Sequence, residues 1–152
     1  MQTFENSMET LIVGIYRDLE LLEERMLNAS KLNMGIAEIH TLSAVQAEGG
    51  EDGATISVLA EHMGITMPSV TAMVNKLEAK GCVQRFKSPS DGRIVQVRLT
   101  EKGRRAEVAH RYFHRTLVRA VAAELSEAEK DALMSGVTKL DRFLKDNINK
   151  YD

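Results

Sequence analysis

Between Thr55 and Thr100 the chain reads TISVLAEHMGITMPSVTAMVNKLEAKGCVQRFKSPSDGRIVQVRLT. Two short helical periods are separated by Gly64, and Gly81 ends the second. Thr55 is suited to cap the first, and Thr66 the second, whose first turn holds Pro68 where a missing N–H costs little. Two strand-like runs follow, Cys82 to Lys87 and Ile94 to Leu99, around the turn-rich tip SPSDGR. The order helix, turn, helix, two-stranded wing describes a winged helix-turn-helix and leaves few other folds open.

The flanks are helical. Phe4, Met8, Leu11, Ile12, Ile15, Leu19, Leu22 and Met26 recur at helical spacing, which predicts a long amphipathic helix over 4–28. A second helix spans 36–47, with Ile36, Ile39, Leu42 and Val45 inward. GGEDGA (49–54) is a loop by composition. Thr100 caps a fifth helix running past Val121. Ser126, with Glu129 three residues on, is a capping-box signature for a sixth, to about Asn147. The expected fold is mainly α with a small β-hairpin, a single domain over 1–152. Trp is absent and aromatics are 5% of the chain, so the core must be aliphatic and Met-rich. A single cysteine excludes an internal disulfide framework, and no segment reads as a membrane span or signal peptide, so a cytoplasmic, non-membrane protein is expected.

A net charge of −2 is unexpected for a nucleic-acid binder until it is divided. From Lys76 to Arg119 there are twelve Lys/Arg and four Asp/Glu, a balance of +8, against −10 for the rest. Local positive charge is what meets phosphates, so this block is compatible with DNA binding, the alternative being two solvated faces. In the fourth helix Val70, Met73, Val74 and Leu77 share one face. The other carries Ser69, Thr71, Ala72, Asn75 and Lys76, short side chains that let a backbone enter the major groove while Asn and Lys reach base edges or phosphates. Thr66 and Pro68, at the start of that helix, complete the candidate contact surface. In the wing, Arg93 at the tip suits the minor groove, with Asp91 as its natural bidentate partner. Arg85, Lys87 and Arg98 are candidate phosphate contacts.

The segments LAEHMGI, VTAMVNKLEAKGCVQR and SDGRIVQVRLTEKG together resemble the MarR family of bacterial transcriptional regulators. The resemblance implies a homodimer on a pseudo-palindromic operator in double-stranded DNA. Helices in 1–34 and 101–152 would serve dimerisation, with 35–100 as the DNA-binding lobe and an effector pocket between the two. EIHTLSAV and the helix after LTEKGR resemble the FabT-like branch, which represses fatty-acid synthesis genes and responds to acyl-carrier protein bearing long acyl chains.

The histidines leave the effector open. His110 and His114 are four apart and project on one helix face with Ala106, Phe113, Leu117 and Val121, a span able to hold one Zn²⁺. His40 on the second helix and Glu20, Glu23 and Glu24 on the first are further donors, Glu23 lying closer than Glu24 to the apolar face. This set is similar to the zinc-sensing branch of the same family, where one Glu, one His and a His-x-x-x-His pair ligate metal. The likeness implies Glu23 or Glu24, His40, His110 and His114 as ligands of Zn²⁺ or another divalent transition metal, with metal-uptake genes as targets. That branch's second metal site uses a Cys in the loop NASKLNMG, which has none here. Metal, acyl carrier and purely structural histidines are therefore alternatives. His62 reads as a surface residue and Cys82 as a small apolar filler. Neither a Ser-His-Asp arrangement, a Gly-rich phosphate loop nor an HExxH signature is present, so no enzyme is expected. A winged-helix protein-interaction module without DNA binding is the alternative to a repressor.

Overall fold

The computed structural model describes residues 3–148. In chain order these form α1 (Phe4–Ala29), α2 (Ile36–Gly49), α3 (Ile56–Met63), α4 (Met67–Ala79), β1 (Val83–Lys87), β2 (Val95–Leu99), α5 (Glu101–Ala123) and α6 (Glu127–Ile148). The chain divides into two compact units, one ending at His110 and the other beginning at Arg111. No helix among the described residues is long and apolar enough to cross a membrane.

The element boundaries follow local chemistry. Thr55 caps α3 by accepting the Val58 N–H, and Thr66 caps α4 by accepting the Ser69 N–H. Gly64 ends α3 at φ 62°, a left-handed conformation that costs glycine little. Thr100 performs two tasks before α5: its hydroxyl donates to the Gly81 carbonyl and accepts the Gly103 N–H. Ser126 and Glu129 exchange the two bonds of a capping box ahead of α6.

The core of the first unit lies among α2, α3, α4 and the wing. Ile39, Leu42, Val45, Leu59, Val70, Val74, Leu77, Val97 and Leu99 are essentially inaccessible to solvent. The wing is an antiparallel pair with Val83 opposite Leu99, Arg85 opposite Val97 and Lys87 opposite Val95. Period-two alternation turns Val83, Val97 and Leu99 inward. Cys82 is buried beside them, and burial pushes its thiol above the usual range, as suits an inert filler. The start of α5 is drawn close to the wing at Gly103, where a Cβ would meet the Cys82 carbonyl oxygen at 2.0 Å.

One expectation changes. The segment 49–54 is more than a loop: Ala54 exchanges two backbone hydrogen bonds with Val97, of 2.9 and 2.8 Å, adding a one-residue third rung to the wing. Gly53, at φ +80°, permits this by letting the Phe86 ring approach. The apolar stripe of α1 is largely uncovered. Phe4, Met8, Leu11, Ile12, Ile15, Leu19 and Leu22 are exposed, whereas Glu23 and Leu27 are buried. Helical periodicity reports a face that wants cover, without saying whether the cover comes from the same chain.

Candidate nucleic-acid interface and histidine site

Helix α4 buries Val70, Val74 and Leu77, with Met73 half-buried, which fixes its rotation. The turned-out residues are therefore Ser69, Thr71, Ala72, Asn75 and Lys76, all exposed, with Thr66 and Pro68 exposed at the entry. Thr66 and Ser69 hydroxyls are 2.8 Å apart, so the first turn presents a small hydroxyl pair beside the helix N-terminus.

At the wing, Lys87, Asp91 and Arg93 are exposed. Asp91 does not hold the Arg93 guanidinium as expected. Its carboxylate instead accepts the Arg93 backbone N–H at 3.0 Å, closing an Asx turn that shapes the tip. Arg98 does not extend to solvent alone; its guanidinium lies over the Phe86 ring at 4.5 Å from the centroid. Arg85 differs most from expectation. It is bound to Glu78 and donates to Asn75 Oδ1 at 2.7 Å, so it is turned toward α4.

The second constellation joins α1, α2 and α5 within the first unit. Glu23, His40 and His110 each bring one ligand atom into a group whose atoms all lie within 4.8 Å of one another. Glu23 Oε1 is 2.9 Å from His40 Nε2 and is also bonded to His110 Nε2. The His40 and His110 ring centroids are 5.5 Å apart. Glu23 and His110 are buried, and His40 opens the site to solvent. Burial alone would raise the Glu23 carboxyl, but hydrogen bonds and charge from His110 and His40 outweigh it and hold it below the usual range. Ser43 lies 3.4 Å from His110 Nδ1 and steadies the ring from behind.

Two imidazoles and a carboxylate are borderline donors that suit Zn²⁺ and its neighbours, so the residues fit such an ion. Glu24 is exposed and lies outside the group; the adjacent position on α1 takes the inward place. His114, one turn beyond His110 on α5, is half-buried with its ring at the edge of Phe113. His62 is exposed, as expected; it bonds Glu48 at 2.6 Å and lines a cleft with His40, Ser43, Ala44, Ala47, Met63 and His110. Ser43 and His62 carried no spacing signal in the sequence; their neighbours come from the crossing of separate helices.

A MarR family model matches residues 37–95. Over 116 residues the chain is 31% identical to the uncharacterized HTH-type transcriptional regulator YfiV of Bacillus subtilis (strain 168), covering 76% of this chain and 70% of YfiV. The chain belongs to the MarR family. The crystal structure of Streptococcus pneumoniae FabT in complex with DNA is similar to this MarR-family chain with a TM-score of 0.87 and 30% identity, covering 93% of this chain and 98% of FabT. The Staphylococcus aureus MepR–DNA complex shares the fold with a TM-score of 0.72 at 22% identity, over 92% of this chain and 97% of MepR. The family comprises DNA-binding transcriptional regulators and not enzymes, so this MarR-family chain is a transcriptional regulator.

Proposed function

We propose that the protein is a homodimeric, sequence-specific DNA-binding repressor of the cytoplasm whose operator affinity is set by an effector. The observation that carries this reading is the exposed face of α4, with Ser69, Thr71, Ala72, Asn75 and Lys76, beside a wing presenting Lys87 and Arg93. Residues 35–100 act as the DNA-binding lobe, with α4 in the major groove and Arg93 in the adjacent minor groove. Thr66, Pro68 and Ser69 seat the helix start on the backbone, and Asp91 shapes the tip that delivers Arg93. Helices in 1–34 and 101–152 serve dimerisation. In support, α1 leaves Phe4, Leu11 and Ile15 uncovered and α6 buries none of its residues. Exposed apolar faces of this extent ask for a partner surface.

The effector we favour is Zn²⁺ or a similar divalent ion held by Glu23, His40 and His110. When bound, such an ion supplies a fixed cross-link among the helices bearing its ligands. Glu23 and His110 would anchor it, and Ser43 would keep His110 Nε2 turned inward. Metal-uptake genes are then the targets. A second reading has its own observation. Arg111, Arg115 and Arg119 succeed one another by single turns on α5 and, with His114 and Val118, line a shallow hollow. A basic surface of this kind suits an acidic protein partner such as acyl-carrier protein, with fatty-acid synthesis genes as targets, as the likeness to FabT favours.

A gel shift on DNA upstream of its own gene tests the reading. Apo, Zn²⁺-loaded and acyl-carrier-supplied protein are compared, and His110→Ala is run beside them. Retardation that rises with Zn²⁺ and loses this response in His110→Ala supports the metal effector. Retardation that responds only to acyl carrier supports the second reading. No retardation in any condition at low salt would leave the protein-interaction module in its place.

A further inference from the structure

Arg85 sits on β1, a strand that leaves α4 through the Gly81 turn and returns alongside the helix's last turns. Its backbone N–H donates to Glu78 Oε1 at 3.2 Å, its Nη1 is bound to Glu78 Oε2, and its Nη2 donates to Asn75 Oδ1 at 2.7 Å. Asn75 and Glu78 are three residues apart on α4 and so share a face. One guanidinium thus clamps both. Its charge is answered by Glu78, and its side chain is only 26% exposed, a poor state for a phosphate contact. The geometry also fixes which end of the Asn75 amide is which. A guanidinium has donors only, so the atom it meets must be the amide oxygen. The Nδ2H2 group is then directed away from Arg85.

We infer that Arg85, held by Glu78, is a specificity-determining positioning residue: it locks the Asn75 amide so that Nδ2H2 is the group offered to the operator. The base facing Asn75 must then present an acceptor in the major groove. Purine N7, guanine O6 and thymine O4 qualify; cytosine, which offers only its N4 donor, does not. An unlocked amide could turn over and offer its oxygen to cytosine instead. This inference rests on the proposed placement of α4 in the major groove.

Selection from a randomised duplex library by the full-length protein, followed by salt titration on the selected operator, tests it. Wild type should disfavour cytosine by about tenfold at one position of each half-site. Arg85→Ala should lose that discrimination while the slope of log affinity against log salt stays the same, because no phosphate contact is removed. Arg85→Lys keeps the charge but cannot bridge both partners, and should relax the same position. Asn75→Asp, an exposed change that leaves the packed face intact, offers acceptors only and should turn the preference toward cytosine. A uniform loss over all sequences with a shallower salt slope in Arg85→Ala would make Arg85 a phosphate contact and overturn the inference, leaving the DNA reading intact. An Asn75→Asp profile identical to wild type would also overturn it. If wild type enriches no sequence, the inference and the DNA reading fall together.

Discussion

Helices α2 and α6 both carry apolar residues at helical spacing, yet they have opposite fates. Over 14 residues α2 places Ile39, Thr41, Leu42, Ala44 and Val45 out of solvent. Over 22 residues α6 buries none, and Met134, Val137, Phe143 and Leu144 stay exposed. The difference is one of partners: α2 is enclosed by α3, α4 and the wing, while the apolar residues of α6 have no such enclosure in the single chain. Part of this sequence is written for its own core and part, in the proposed dimer, for a surface that another copy would supply.

The sharpest break of that comparison comes from truncating each side. Leu77→Ala empties a fully buried position and should cost about 2–5 kcal/mol, lowering Tm by roughly 5–15 °C in a thermal melt. Phe143→Ala, at a residue 63% exposed in the single chain, should cost far less of the chain's own stability. Equal losses would mean that α6 packs on a core after all.

Next in size is the assembly itself. Leu19→Glu combined with Phe143→Asp places charges on the uncovered faces of α1 and α6. Light scattering should show twice the chain mass for wild type and a single chain for the variant, with operator affinity reduced about a hundredfold or more by loss of the paired half-site. A variant that remains dimeric would move the interface elsewhere.

A smaller effect concerns pH in the enclosed lobe. Glu38 accepts from Lys80 at 2.8 Å and from the Gly35 N–H at 2.9 Å, tying the start of α2 to the end of α4. Burial would raise the Glu38 carboxyl, but the Lys80 and Gly35 hydrogen bonds outweigh it and hold it below its ordinary 4.5. A carboxyl lowered on folding contributes stability above its unfolded pKa and loses it as pH falls through the folded value. Melts between about pH 7 and pH 3 should therefore show a smaller acid-side loss for Glu38→Gln than for wild type, with a cost near neutral pH of about 1 kcal/mol. Parallel curves would remove the ion pair from the stability of the lobe.

The smallest contrast uses two helix caps of the same chemistry. Thr55→Ala should lower global stability by about 1 kcal/mol, because α3 is part of the cooperative core. Ser126→Ala should show mainly as faster amide exchange in the first turn of α6, with little change in Tm. The reverse pattern would erase the distinction between the two regions.

Much of the fold was legible because it is locally determined. Thr55, Thr66, Thr100 and Ser126 act as caps where the sequence places them, and Gly64 and Gly81 end α3 and α4. The out-turned face of α4 was legible too, since Val70, Val74 and Leu77 fix its rotation. The missed features are long-range. The Ala54–Val97 bridge joins residues 43 positions apart, and the Arg85 clamp depends on how β1 returns past α4. Neither has a periodicity to read. The histidine site was half legible: the apolar periodicity of α1 placed Glu23 closer than Glu24 to the inward face, but its meeting with His40 and His110 is set by how α1 crosses α2 and α5. The apolar stripe of α1 was legible as a face, although amphipathicity does not name its partner.

The most direct measurement is the ratio of affinities for the DNA upstream of its own gene and for a scrambled duplex of equal length, at about 150 mM salt, with the protein–duplex stoichiometry read in the same titration. A dimer reading DNA through α4 and the wing should prefer the upstream duplex by about a thousandfold or more and bind as two chains per site. Equal affinities for the two duplexes, or one chain per site, would contradict it.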